Sequence, residues 1–378
     1  VDRDVSAAEP TGRVAATPVW REPARGGFPD PRLFGLPGAE QIRAIMDGRA
    51  PRPPISHLTG MRPTEVDAGH AVFTMPATGW LCSPQGIIPG GVHAVLADGP
   101  FGCALQGALP GGTPYTTADL SMNFLRPAGV QSEMLTARGR LIHMGRRIGL
   151  TEVLVEDARG RLIAHGTSRL AMLPAVDPLP EAPAEWPPVP APPGDPPDPY
   201  LRPWPRTLLG RDAWRRMTGL ELMQAFVAGD LPLPPIHHLT GLMPIAADAG
   251  TCTFSLPCSQ WLCSPLARVE GGFVAMLADS AIAAAVQTTL PAATAYATVD
   301  LKVTFHRPAF PDGRDLVARA DVTHRGASLA TAVTVVRNAD GKAVASAVGS
   351  VMILPGRGVS LDQPTVPDEE LAPAADAS

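Results

Sequence analysis

Two aspartates stand alone on runs that are otherwise apolar. Asp98 lies in the run at 91–109 (GVHAVLADGPFGCALQGAL) and Asp279 in the run at 272–290 (GFVAMLADSAIAAAVQTTL). A carboxylate in such surroundings loses its hydration, at a cost of several kcal/mol unless something compensates. Such an acid either pairs structurally or serves as a general base or nucleophile whose pKa burial tunes. A Gly-Gly pair precedes each run, Gly90-Gly91 and Gly271-Gly272. If the runs are helices, Gly90 and Gly271 stand at their N-termini, where free N–H groups and the macrodipole favour a developing oxyanion. Close packing at a tight turn is the structural alternative. Eight residues separate Gly90 from Asp98, about 12 Å of helix rise, too far to serve one carbonyl. Two such helices packed antiparallel about a pseudo-twofold axis would bring Asp98 beside Gly271 and Asp279 beside Gly90.

That second helix is supplied by the chain itself. Shifted by 181 positions, the stretch from about Gly38 to Leu173 falls on Gly219 to Leu354 without a gap. His57-Leu58-Thr59-Gly60 meets His238-Leu239-Thr240-Gly241, and Trp80-Leu81-Cys82-Ser83-Pro84 meets Trp261-Leu262-Cys263-Ser264-Pro265. A period of domain size means two copies of one fold rather than a solenoid. Each residue therefore has a twin as internal control.

Each copy opens with an amphipathic helix, Ala39–Met46 in the first, stopped by Gly48 and prolines. Short strands follow around Gly60–Glu65 and Ala71–Pro76. The apolar run then reads as a helix buried on every side. Alternating segments at 117–124, 134–143, 148–156 and 162–173 predict four antiparallel strands. The expected fold class is α+β: two tandem domains, each a long buried helix wrapped by an antiparallel sheet of five or six strands. The boundaries are an N-terminal extension at 1–37, domain one at 38–173, a Pro-rich linker at 174–210, domain two at 211–355 and a tail at 356–378. The linker composition predicts a semi-rigid extended segment. The first 30 residues and the tail are expected to be loosely ordered.

A formal net charge of -5 and a pI near 6.0 give no electrostatic footprint for nucleic acid. The five cysteines form no CxxC pair and read as small buried hydrophobes in a reducing compartment. No apolar segment resembles a signal peptide or a membrane span, so the expected location is cytoplasmic. No His, Cys or Asp set has metal-ligand spacing, and no cofactor is expected.

The run Trp80-Leu81-Cys82-Ser83-Pro84-x-Gly86-x-x-Pro89-Gly90-Gly91, continued by Leu96-Ala97-Asp98, resembles the motif before the helix of PaaI-type acyl-CoA thioesterases. Thr117-x-Asp119-Leu120-x-x-x-Phe124-Leu125-Arg126-Pro127 and His143-x-Gly145-Arg146 do so too. The resemblance covers nearly all of both repeats. It implies the hotdog fold, composite sites shared between two hotdog units, and hydrolysis of an acyl-CoA or related thioester. A homodimer of the two-domain chain is a further possibility. The family motif reads Asn-x-x-Gly-x-x-His-Gly-Gly; here Ser83 and Ser264 take the Asn position, and Pro89 and Glu270 the His position. Ala267 replaces the first copy's Gly86.

On the resemblance, Ser83 and Ser264 donate to the thioester carbonyl or hold water; ordinary turn chemistry is the alternative. Thr117 and Thr298 stand where the family places a hydroxyl beside the acid, or are plain strand residues. Trp80 and Trp261 are expected in the wall near the helix start, as core and as acyl contacts. Arg126, Arg307 and Arg146, with Arg147 and Arg325, are candidates for the coenzyme A phosphates or are solvated. His57 and His238 precede a strand, and His143 and His324 lie at a hairpin; solvent-facing or loop-bonding roles are expected of them.

Two rivals remain. A non-catalytic acyl-CoA or aromatic-ligand binder draws on the altered Asn and His positions and on Pro100 inside the first helix. A hydratase or dehydratase needs an Asp and a His about one turn apart on that helix; neither copy has the His there, and His93 lies on the N-terminal side of Asp98 without a twin. The copies are also expected to differ. Pro100 should kink the first helix, and Glu270 places a negative charge where the Asp98 site would form its oxyanion. The Asp279 site should be the better one.

Overall fold

The computed structural model describes residues 18–181, 183, 186–189 and 196–355. Domain one runs α1 (Gly38–Met46), α2 (Pro54–Thr59), β1 (Arg62–Asp67), β2 (His70–Pro76), α3 (Gly90–Gln106), β3 (Tyr115–Phe124), β4 (Met134–Met144), β5 (Ile148–Asp157) and β6 (Leu162–Met172). Domain two begins with α4 (Arg211–Arg216) and α5 (Gly219–Ala228), then α6 (Pro235–Thr240), β7 (Met243–Asp248), β8 (Thr251–Pro257) and α7 (Gly271–Gln287). It closes with β9 (Thr294–Phe305), β10 (Asp315–Arg325), β11 (Leu329–Arg337) and β12 (Ala343–Pro355). Apart from α4, every helix and strand of domain two starts within a few residues of its twin plus 181. The two apolar helices coincide over all 17 residues.

The strands form one twelve-stranded antiparallel sheet, ordered β1-β2-β4-β5-β6-β3-β9-β12-β11-β10-β8-β7. The second six mirror the first. β3 and β9 make the joint, with Asp119 opposite Thr304 and Asn123 opposite Asp300. Ser121 faces Lys302, its own twin, so the pseudo-twofold axis passes between them. Most strands alternate buried and exposed residues, as β4 and β10 show. One face of the sheet therefore packs on the helices and the other meets solvent.

α3 and α7 pack side by side and antiparallel. An added Cβ on Gly91 would fall 2.6 Å from the Met276 Cα, and one on Gly272 would fall 2.5 Å from the Val95 Cα. Only glycine lets the two helices approach this closely. The halves also interlock through their short helices: Ile55 N–H reaches the Cys263 carbonyl, and Ile236 N–H the Cys82 carbonyl.

Pro100 does not break α3, which runs through it to the same length as α7. The lost N–H forfeits one helical bond, but Gly139 on β4 leaves room for the Pro100 carbonyl, 2.5 Å from where a Cβ would lie. Ala320 stands at the matching position opposite the proline-free α7.

Residues 1–17 and part of the linker lie outside the described residues; the described parts of both segments are pinned by specific contacts. From Pro18 on, the N-terminal segment carries 3-10 turns at Val19–Arg21 and Pro31–Gly35. Trp261 Nε1 donates to the Glu22 carbonyl at 3.0 Å, the Glu22 carboxylate holds Arg202 at 2.8 Å, and the Arg202 carbonyl accepts from Trp80 Nε1 at 2.9 Å. Two indoles, one from each half, thus clamp the N-terminal segment and the linker between them. The linker turns at Pro199–Leu201 rather than running extended there. The tail after Pro355 lies outside the described residues.

Candidate active site

The start of each apolar helix gives up its first N–H groups, because no preceding turn exists to accept them. The acid of the opposite helix takes one of them. Asp279 Oδ2 accepts from Gly91 N–H at 2.7 Å, and Asp98 Oδ2 accepts from Gly272 N–H at 2.8 Å. The composite arrangement holds, one residue further along than expected: the second glycine of each pair orients the acid. Gly90 packs on the Phe124 ring so closely that a Cβ would fall 2.7 Å from it. At the other site both amides act on Asp98, since Gly271 as well as Gly272 holds its pKa down.

Burial raises both acids to about 6. Loss of hydration is the leading cause, opposed by the glycine amides and by the Thr117 hydroxyl for Asp98 and the Thr298 hydroxyl for Asp279. A bulge in β3 between Thr117 and Asp119, and its twin in β9 opposite Ser350/Val351, break the strand alternation beside these threonines. Bulges commonly re-aim a side chain next to a site.

Only from here do the sites diverge. A cavity of about 320 Å³ joins Asp279 and Thr298 to Gly90, Ser83 and Pro89. Asp98 does not line it. In its place Glu270, the twin of Pro89, brings its carboxyl against Asp98, and desolvation with the Asp98 charge pushes that carboxyl well above the ordinary range. Two carboxyls in contact away from water share a proton. Glu270 thus meets Asp98 as a carboxyl sharing a proton with it, where the sequence reading had expected an added negative charge. Ser264 bonds the Arg268 carbonyl and acts on Glu270, whereas the Ser83 hydroxyl oxygen is buried without a partner among the described residues.

Of the remaining candidates, Arg126 lines the cavity, although its Nη1 already donates to the Leu162 carbonyl. Arg307 makes the twin bond to Ala343 and is not part of the lining. Arg146 is exposed on the β4–β5 hairpin, also away from the cavity. Trp80 and Trp261 are buried and spend their N–H groups on Arg202 and Glu22. They anchor the clamp and do not touch the cavity. His57 and His238 fall on α2 and α6 rather than before a strand. His57 is buried with Nδ1 at 3.0 Å from Asp198, pinning the linker; solvent does not reach it.

Sequence reasoning noted His93 as twinless but assigned it to no site. This residue is 2 % exposed, lines the cavity, and has neither ring nitrogen bonded among the described residues. Burial pushes its pKa down to about 4, so it stays neutral and carries one N–H. The mismatch with its twin Val274 was the available signal. It also brings a histidine into the same cavity as Asp279, from the opposite helix rather than one turn along the same one. Among the described residues no group of three or more His, Cys, Asp or Glu could hold a metal, and no helix is long and apolar enough to cross a membrane.

The model of the thioesterase superfamily matches both halves, at residues 85–164 and 268–345. Among solved structures, the tesB protein of Mycobacterium avium subs paratuberculosis is 14% identical with a TM-score of 0.50, covering 80% of this chain and 98% of that one. AziG of S. sahachiroi is 30% identical over 32% of this chain and 96% of its own, with a TM-score of 0.31. A thioesterase from Haemophilus influenzae is 26% identical over 33% of this chain and 85% of its own, with a TM-score of 0.31. No curated protein matches. The likeness to the tesB protein spans both halves and bears on fold alone: a double hotdog.

Proposed function

We propose that this chain, which carries two thioesterase-superfamily domains, hydrolyses an acyl-CoA or related thioester at one composite site. One observation supports the reading most: a cavity joins a buried carboxylate on α7 to the N-terminus of α3, and the twin acid Asp98 is not part of its lining. Asp279 Oδ2 is held by Gly91, while its Oδ1 has no partner among the described residues.

In this reading Asp279 acts as general base or as nucleophile. As base, Oδ1 takes a proton from water while the water oxygen adds to the thioester carbon. The carbonyl electrons move to oxygen, which accepts from Gly90 N–H at the positive end of α3. Collapse of the adduct breaks the C–S bond, and the thiolate recovers the proton. As nucleophile, Oδ1 adds directly, the C–S bond breaks to release thiolate, and water splits the mixed anhydride into the free acid and the Asp279 carboxylate, its spare proton going to the thiolate. Ser83 and the neutral His93 flank Gly90 as further donors to the carbonyl oxygen.

Release of free thiol from a panel of short, long and aromatic acyl-CoA thioesters tests the proposal, and no release from any of them would leave a binding protein. His93 beside Asp279 also supports a second reading, water addition to an α,β-unsaturated acyl thioester. That reaction removes the enoyl absorbance without releasing thiol, so one assay separates the two.

A further inference from the structure

The cavity follows one face of α7. Met276, Asp279, Ser280, Ala283, Ala284 and Gln287 line it, at the spacing of a helical stripe. From Asp279 to Gln287 is about 12 Å of helix rise. Gly90 and the acid therefore stand toward one end, and Gln287 at the other, where Met223 and Phe226 of α5 complete the wall.

Gln287 is 4 % exposed. Its Oε1 accepts from the Tyr296 hydroxyl at 2.6 Å, but its Nε2 has no partner among the described residues. Leaving a buried donor unmet costs about 1–3 kcal/mol. The twin shows what is missing. Gln106 likewise accepts from Tyr115, and its Nε2 donates to Gln41 Oε1 at 3.0 Å. The twin of Gln41 is Leu222, which has no acceptor. Half two keeps the Gln–Tyr pair and deletes the amide's partner. Two more positions differ between the halves: Pro89 stands for Glu270 and Ala284 for Cys103.

Charge narrows what fits. Arg126 is the single Lys or Arg in the lining, and it belongs to the segment after Phe124, beside Gly90. His93 and His237 are pushed down to about 4 and about 3 and are neutral. Nothing in the wall beside Gln287 would balance a carboxylate, and Asp279 would repel one.

We infer that the Asp279 site takes an acyl group bearing a neutral oxygen, hydroxyl or oxo, at the end remote from its thioester, and that the Gln287 amide donates to that oxygen. The inference rests on the thioesterase reading for the placement of the thioester at Asp279.

Octanoyl-CoA and 8-hydroxyoctanoyl-CoA differ only in the remote oxygen and are suitable probes. Hydrolysis by the full chain should favour the hydroxy compound in kcat/KM by about tenfold. Gln287→Leu should abolish that preference. Leu222→Gln, which supplies the half-one partner, should also abolish it while leaving octanoyl turnover in place, since Leu222 is outside the lining. Melting curves check that both variants fold; if Leu222→Gln does not, Gln287→Leu decides alone. Hydrolysis of both compounds at equal kcat/KM, or a preference that survives Gln287→Leu, overturns the assignment. If neither compound is hydrolysed, equilibrium binding of each is measured. Tighter, Gln287-dependent binding of the hydroxy compound would then uphold the pocket while the hydrolytic reading falls, and equal binding would sink both.

Discussion

The two aspartates share nearly everything that a local description records. Each stands at the same step of a 17-residue helix, accepts from the second glycine of the opposite pair, neighbours a threonine beside a bulge, and is raised to about 6 by burial. They part company at one position across the helix start, Pro89 against Glu270. Pro89 and Asp279 line one cavity, whereas Glu270 brings its carboxyl against Asp98. In the proposed reading, what the facing residue leaves empty matters as much to an acid as its own surroundings.

The sharpest way to break this comparison is to neutralise each acid in turn. Asp279→Asn should lower kcat by about 10²–10⁴-fold, the usual weight of a general base, whereas Asp98→Asn should change it by less than about threefold. Equal losses in kcat, or a larger loss at Asp98, would mean that the open cavity does not mark the working site. Next in size, Pro89→Glu transplants the glutamate. Turnover should fall about 10²-fold, with circular dichroism unchanged; undiminished activity would show that Glu270 is not what silences its own site.

A third measurement uses pH. If deprotonated Asp279 does the work, kcat/KM should rise about tenfold per unit up to about pH 6 and level off above. Thr298→Val, which removes a hydroxyl that lowers this pKa, should move the limb to higher pH; a limb that stays put assigns it to another group.

The smallest effect concerns stability. Asp98 and Glu270 both have folded pKa values above their ordinary ones. The folded state therefore holds protons that the unfolded chain has released, and stability falls as pH rises from about 4 through the folded values. Glu270→Gln should flatten that slope and raise the melting temperature at pH 8 by a few degrees, about 1–2 kcal/mol. An unchanged or steeper slope would show that the pair is not sharing a proton.

Much of this was open to reading from the chain alone. The gapless repeat located both helices, both acids and the need for a second helix, because apolar patterning and a lone carboxylate are properties of neighbouring residues. Which N–H each acid meets was out of reach, since it depends on the crossing of α3 and α7 set by Gly91 on Met276 and Gly272 on Val95. The roles of Trp80 and Trp261 were out of reach for a similar reason. Their partners are backbone carbonyls more than a hundred residues away, and no composition signals that. Gln287 and His93 are a middle case. Nothing in either residue announces a site, but each departs from its twin's surroundings, Leu222 for Gln41 and His93 for Val274. Comparing twins for mismatch marked His93 as twinless, and the same comparison at position 222 would have flagged Gln287.

The cross-helix pairing has an evolutionary corollary. In a symmetric homodimer of single-domain subunits, one codon writes the residue at both sites, so a glutamate that closes one closes the other and the lineage loses the activity. Joining the two units in one reading frame gives each site its own copy of every codon. Positions 270 and 89 can then differ, Glu against Pro, and so can positions 222 and 41, Leu against Gln. A fused pair can carry two unlike sites across one pseudo-twofold axis, which a single gene for a symmetric dimer has no means to encode.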